Sequence, residues 1–218
     1  MITIDSLRIR DGRRMLLDGV TMHLSRNAVH GIAGEGRSAL LEALYGIRTP
    51  DSGTISEAGH PLQRREMAFL EADPHFWPGL TARDCIGLVR HNGRLANPEA
   101  LLRRFPVPPD AQAATLDPLA RKHLGIILTL MRDKRILLLD EPFRGLEPER
   151  VFVMQQLLLR LGSEGRTVIL ASGKISPLEG VCDDLYLLGG GSVLARYEHY
   201  ELGRAIPNPE SGSGFPEN

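Results

Sequence analysis

Two acids stand side by side at the end of an aliphatic run in Arg135-Ile136-Leu137-Leu138-Leu139-Asp140-Glu141-Pro142. Acids so placed suit magnesium-assisted phosphoryl transfer, where the first helps hold the cation and the second polarises an attacking water. Well upstream, Gly31, Gly36 and Ser38 fall at the spacing G-x-x-x-x-G-[K]-[ST], with Gly34 as an extra hinge and Ala39 following. The amides of such a loop, and the N-terminus of the helix after it, cradle phosphates, while the Ser38 hydroxyl reaches Mg²⁺. The lysine position holds Arg37 instead. A tight glycine turn therefore remains open for this motif alone, as does a buried strand ending in a solvated turn for the acid pair.

The elements that must position these residues are readable. A continuous apolar run such as 136–139 is the pattern of a strand buried on both faces, as in a parallel sheet. Acids at its carboxyl end lie where open α/β sheets bind ligands. Residues 28–33 read as a second strand feeding the glycine loop, and Leu40, Leu41, Leu44 and Tyr45 share one helical face that stops at Gly46. Further helices are expected near 81–90, 97–105, 119–131 and 148–161, with Pro148 suited to a first turn. Strands are expected at 67–70 and 167–171, and a strand pair at the amino end turns at Asp11-Gly12-Arg13. The chain of 218 residues with 42% hydrophobic residues suits one α/β domain with a small insertion.

Composition excludes other classes. A net charge of −1 argues against a nucleic-acid surface. Arg64-Arg65, Arg103-Arg104 and Arg121-Lys122 read as solvated faces. No run approaches the roughly 20 apolar residues of a spanning helix, and the amino end has no signal-peptide layout. Cys85 and Cys182 lack metal spacing and fit thiols of a reducing cytosol. Residues 206–218, rich in Pro, Gly and Ser, are expected to be a disordered tail.

From about Met1 to Arg196 the sequence resembles the nucleotide-binding domain of ABC transporters. Leu17-Asp18-Gly19-Val20, Thr49-Pro50-Asp51-Ser52-Gly53-Thr54-Ile55, Phe143-Arg144-Gly145-Leu146-Glu147-Pro148 and Gly191-Ser192-Val193-Leu194-Ala195 are each similar to segments of that family, in the same order. The segment Pro74-His75-Phe76-Trp77-Pro78-Gly79-Leu80-Thr81 is similar to the opening of its helical subdomain. The resemblance implies an α/β P-loop NTPase (RecA-like) core with an N-terminal antiparallel β subdomain. It also implies a domain over 1–205 with a helical insertion at about 72–118. ATP and Mg²⁺ are the implied cofactors: Gly31, Gly34, Gly36, Arg37, Ser38 and Ala39 bind nucleotide, Ser38 and Asp140 bind Mg²⁺, and Glu141 is the catalytic base.

The departures from that family are as informative. Asp11 stands where an adenine-stacking aromatic is usual, and a carboxylate cannot replace a ring. Arg37 puts a planar fork where the loop is shaped for a point charge. Ala72 replaces the glutamine that contacts Mg²⁺ and water, Gly173 the switch histidine, and Glu147 an aspartate. The signature L-S-G-G-Q is Leu116-Asp117-Pro118-Leu119-Ala120, which loses two glycines and one amide donor. The expectation is a degenerate, weakly nucleotide-binding subunit in which Glu141 is idle. Its implied partners are a hydrolytically competent ABC ATPase subunit and a polytopic membrane subunit at the cytoplasmic face of the cell membrane. The region around Phe76-Trp77-Pro78 would receive the membrane subunit, with a satellite core cluster as the alternative reading. An active ATPase with unusual chemistry and a soluble regulatory scaffold are the rival readings.

Overall fold

The computed structural model describes residues 1–89, 97–199 and 201. Its centre is a six-stranded sheet in the order β10-β9-β3-β8-β7-β6. These strands are β3 (Val29–Gly34), β6 (Met67–Leu70), β7 (Ile136–Asp140), β8 (Thr167–Ser172), β9 (Asp184–Gly189) and β10 (Ser192–Glu198). Every pairing is parallel except that of β10 with β9. Every residue of β7 and β8 is buried, which is why both read as unbroken apolar runs rather than alternations. A second, antiparallel sheet in the order β2-β1-β4-β5 comprises β1 (Ile2–Asp11), β2 (Arg14–Leu24), β4 (Ser52–Glu57) and β5 (His60–Pro61). Thus the family-like segment Thr49-Pro50-Asp51-Ser52-Gly53-Thr54-Ile55 runs into β4.

Helix α1 (Arg37–Tyr45) is buried between the two sheets, with Leu40, Leu41 and Leu44 in one core with Ile4, Leu17 and Leu138. The other face of the central sheet carries α4 (Pro118–Met131) and α5 (Pro148–Ser163) over Leu137, Leu139, Val168 and Leu170. Between β6 and α4 lie α2 (Ala82–Leu88) and α3 (Pro98–Arg104), and α6 (Ser176–Glu179) precedes β9. Local chemistry starts these helices: Thr81 and Asp84 form a capping box, and Asn97 caps α3 ahead of Pro98. The expected disordered tail at 206–218 lies outside the described residues. Among the described residues, no helix is long and apolar enough to cross a membrane.

One expectation is corrected. Lys122 is not on a solvated face: it is 4% exposed, and its Nζ donates to the carbonyls of Ala72 and Glu71. Backbone carbonyls of a segment distant in sequence make burial of the ammonium tolerable, and nothing local to Arg121-Lys122 signals that. Burial still depresses its pKa to about 8. Arg144 donates to the same Ala72 carbonyl at 2.9 Å and also pairs with Asp73.

Candidate nucleotide site

The parallel order of β3, β8 and β7 brings Gly34, Asp140, Glu141 and Gly173 to one edge of the sheet. Gly34 and Gly36 adopt φ of 96° and 85°. A Cβ at Gly34 would lie 1.8 Å from the Leu188 carbonyl, and one at Gly36 2.6 Å from the Leu16 carbonyl. Any side chain would therefore push the loop off β9 and β2. Gly31 is different. It lies within β3 against Leu185 and Cys182, so its lack of a side chain serves packing. An open cleft of about 320 Å³ is lined by Gly36, Arg37, Ser38 and Ala39 of the loop with Arg14, Leu16, Glu35, Glu42 and Arg48. Gly31, Gly34 and Asp11 do not line it; Arg14 and Leu16 of β2 do, which the sequence pattern had not singled out.

Asp140 closes β7 and is 2% exposed, and its Oδ1 has no hydrogen-bond partner. Burial pushes its carboxyl pKa up, opposed by the nearby Ser38 hydroxyl. A buried oxygen left open beside a hydroxyl is the hard-oxygen donor set that Mg²⁺ takes, usually with waters and phosphate completing the shell. The residues present fit that ion. No cluster of three or more His, Cys, Asp or Glu side chains able to hold a metal occurs among the described residues.

Glu141 follows in the left-handed region at φ 51°, where a non-glycine residue carries about 1–3 kcal/mol of strain. Its amide is tied to the Ala171 carbonyl at 2.8 Å, so its side chain is aimed by β8. The carboxylate is engaged: Oε1 accepts from Arg37 Nη2 at 2.6 Å, Arg37 Nε at 3.2 Å and the Gly173 amide at 2.8 Å. Arg37 Nη1 donates back to the Gly34 carbonyl at 2.8 Å. At the amino end of α4, Asp117 Oδ1 accepts from the Ala120 amide at 2.9 Å and Pro118 occupies the first turn. Asp117, which stands in the altered signature, is thus also a helix cap. Glu147 precedes α5 without capping it and lies 3.5 Å from Arg150.

A glycine loop between a parallel strand and a helix, with an open acid at the neighbouring strand end, defines a P-loop nucleotide-binding fold. The comparisons narrow the class. A family model described as ABC transporter matches residues 17–144. The chain is 30% identical over 216 residues to the thiamine import ATP-binding protein ThiQ of Jannaschia sp. (strain CCS1), spanning 89% of this chain and 91% of that relative. It is 27% identical over 214 residues to the Nod factor export ATP-binding protein I of Paraburkholderia xenovorans (strain LB400), spanning 89% and 69% respectively. A solved ATP-binding subunit of an ABC transporter superposes with a TM-score of 0.79 over 91% of this chain and 90% of that one, at 21% identity, which shows a shared fold. The chain belongs to the ABC transporter family and has the α/β P-loop architecture of its ATP-binding subunits.

Proposed function

We propose that this chain is an ATP-binding subunit of an ABC transporter that does not hydrolyse ATP itself and works beside a competent ATPase subunit beneath a polytopic membrane subunit. The observation that carries the reading is the engagement of Glu141: the oxygen a base would turn toward water is held by Arg37 and the Gly173 amide. A base removed from its reacting geometry loses the positioning that makes it effective. The loop amides of Gly36, Arg37, Ser38 and Ala39 hold the phosphates, with Gly34 setting the loop's shape. Ser38 and Asp140 hold Mg²⁺, which when bound neutralises phosphate charge. Asp11 provides no ring for the base, so binding is weak and indifferent to base identity.

Trp77 is 83% exposed on the segment that leads into α2, beside the half-buried Phe76. An exposed aromatic of this size suits a protein contact, and we assign it to the membrane subunit. On this reading the chain works at the cytoplasmic face of the cell membrane and docks through the region around Phe76-Trp77-Pro78. Two poor sites in a homodimer would serve no transport cycle, which is why the partner is a different ATPase subunit. Relatives that import and relatives that export both match, so the direction of transport is not assigned.

The test is steady-state ATPase assay of the purified chain. Turnover far below the ordinary enzyme scale of about 1 s⁻¹, and unaltered by Glu141→Gln, is expected. Turnover at or above that scale, abolished by the same substitution, overturns the reading. Calorimetry with MgATP and MgGTP should give matching affinities; a strong adenine preference would contradict the account of Asp11.

A further inference from the structure

We infer that Arg37 and Gly173 form a matched pair, in which the guanidinium fills the space in front of Gly173 and closes the nucleotide site from within. A Cβ built on Gly173 would stand 3.1 Å from Arg37 Nη2 and 3.2 Å from Glu141 Oε1. Both distances are tighter than side chains ordinarily tolerate, so any residue larger than glycine here pushes against the ion pair. The position can hold Gly because the fork is present, and the fork can lie flat because the position is Gly. Neither change is explained fully by itself.

The geometry specifies what the pair does. Arg37 starts α1, Gly34 ends β3, Glu141 follows β7, and Gly173 follows β8. One guanidinium therefore ties three of these four points through the Gly34 carbonyl and Glu141 Oε1, and the Gly173 amide joins through the same carboxylate oxygen. Bridging a loop to neighbouring strand ends is work that a bound phosphate and its cation perform when they occupy such a site. Here the Arg37 side chain performs it. The carboxylate is 9% exposed and the guanidinium 26%, so the pair is only partly screened by solvent. A planar fork reaches its two acceptors from separate nitrogens in a fixed geometry, whereas a lysine ammonium is a point charge on a flexible stem. Entry of a triphosphate then requires Arg37 to leave Glu141, and the site is self-inhibited.

This inference concerns the regulation of the nucleotide site assigned above. It rests on that assignment only in its binding arm. The first arm is a double-mutant cycle on the full chain, comparing the native protein, Gly173→Ala, Arg37→Ala and the double variant by thermal unfolding. In the native background Gly173→Ala should lower the midpoint by about 2–4 °C. In the Arg37→Ala background the same change should cost less than half as much, because the methyl then meets only the Glu141 oxygen. Equal shifts in the two backgrounds, or no shift in either, overturn the matched pair. Should Arg37→Ala fail to fold, Arg37→Lys serves as the background, with the same expectation. The second arm titrates MgATP into Gly173→His and Arg37→Lys/Gly173→His. The double variant should bind at least about tenfold tighter than the native chain, and Gly173→His by itself should not; equal affinities for the two variants overturn the self-inhibition. Turnover by the native chain would remove the proposed function and leave the stability cycle intact, whereas an additive cycle removes the matched pair and leaves that function standing.

Discussion

The two ends of the central sheet treat buried acids in opposite ways. At the amino end, Asp184 opens β9 with both oxygens engaged: Oδ1 meets His30 Nδ1 at 2.6 Å and Oδ2 accepts from Arg196 Nη2 at 2.8 Å. Asp183 beside it, though exposed, accepts from the Val29 amide, and Glu57 of β4 in the neighbouring sheet is bound by Arg26, ahead of β3, and by Arg135, ahead of β7. At the carboxyl end, Asp140 keeps an oxygen without a partner and Glu141 sits on strained backbone. Acids at the first end are fully paired, which is how buried charge is made compatible with folding. At the second end Glu141 is paired with Arg37 but Asp140 is not satisfied, and an unsatisfied buried group in a native fold marks a place shaped for something else. The contrast separates scaffold from site without reference to any relative.

That contrast can be broken by mutation. Asp184→Asn strips charge from a buried pair and should cost about 3–5 kcal/mol in urea unfolding. A loss below about 1 kcal/mol would mean the amino end is not the anchored one. The pH dependence is the next largest effect. Arg135, followed by the opposing burial and by Arg26, holds Glu57 at about 2 against an ordinary 4.5. Its stabilisation is complete above about 4.5 and disappears as pH falls toward about 2. Glu57→Gln should flatten acid unfolding across that window. Asp140 has the reverse sign: its raised pKa means the folded state holds the proton more tightly, so stability declines as pH rises just above 3.8. Asp140→Asn should remove that decline, raise stability at neutral pH by about 1 kcal/mol, and abolish any Mg²⁺ dependence of nucleotide binding. If the same substitution destabilises the chain by as much as Asp184→Asn, the two ends do not differ.

The smallest expected effects lie at α4. Asp117→Ala should cost about 1 kcal/mol by removing a cap, and Asp117→Ser only a few tenths. On the proposed pairing with an ATPase subunit, and with this segment facing the phosphates held by that partner, Asp117→Ser with Pro118→Gly and Leu119→Gly should raise ATP turnover of the complex, since a carboxylate about 5 Å from a phosphate charge costs roughly 3 kcal/mol at an effective dielectric near 20. Unchanged or lower turnover would make the segment purely a helix start.

The sequence exposed what repeats locally. β7, the glycine loop and α1 were legible because an apolar run or a helical face is written in adjacent residues. The capping of α4 by Asp117 was legible in principle from an Asp-Pro start, but it was hidden behind its likeness to a degenerate signature. The pairings that decide chemistry join residues far apart: Arg37 with Glu141, Lys122 with Ala72, His30 with Asp184. No spacing rule reaches across such separations. The burial of Lys122 in particular depends on carbonyls, which every residue carries and which leave no trace in composition.

Those two cations on the Ala72 carbonyl have a mechanical consequence. Ala72 lies just ahead of exposed Trp77, while Lys122 belongs to α4 and Arg144 follows Glu141. On the docking proposed above, a push delivered at Trp77 would reach the start of α4 and the turn after the acids through these two donors. The linkage is made of a lysine, an arginine and a peptide oxygen, and none of the three lines the cleft.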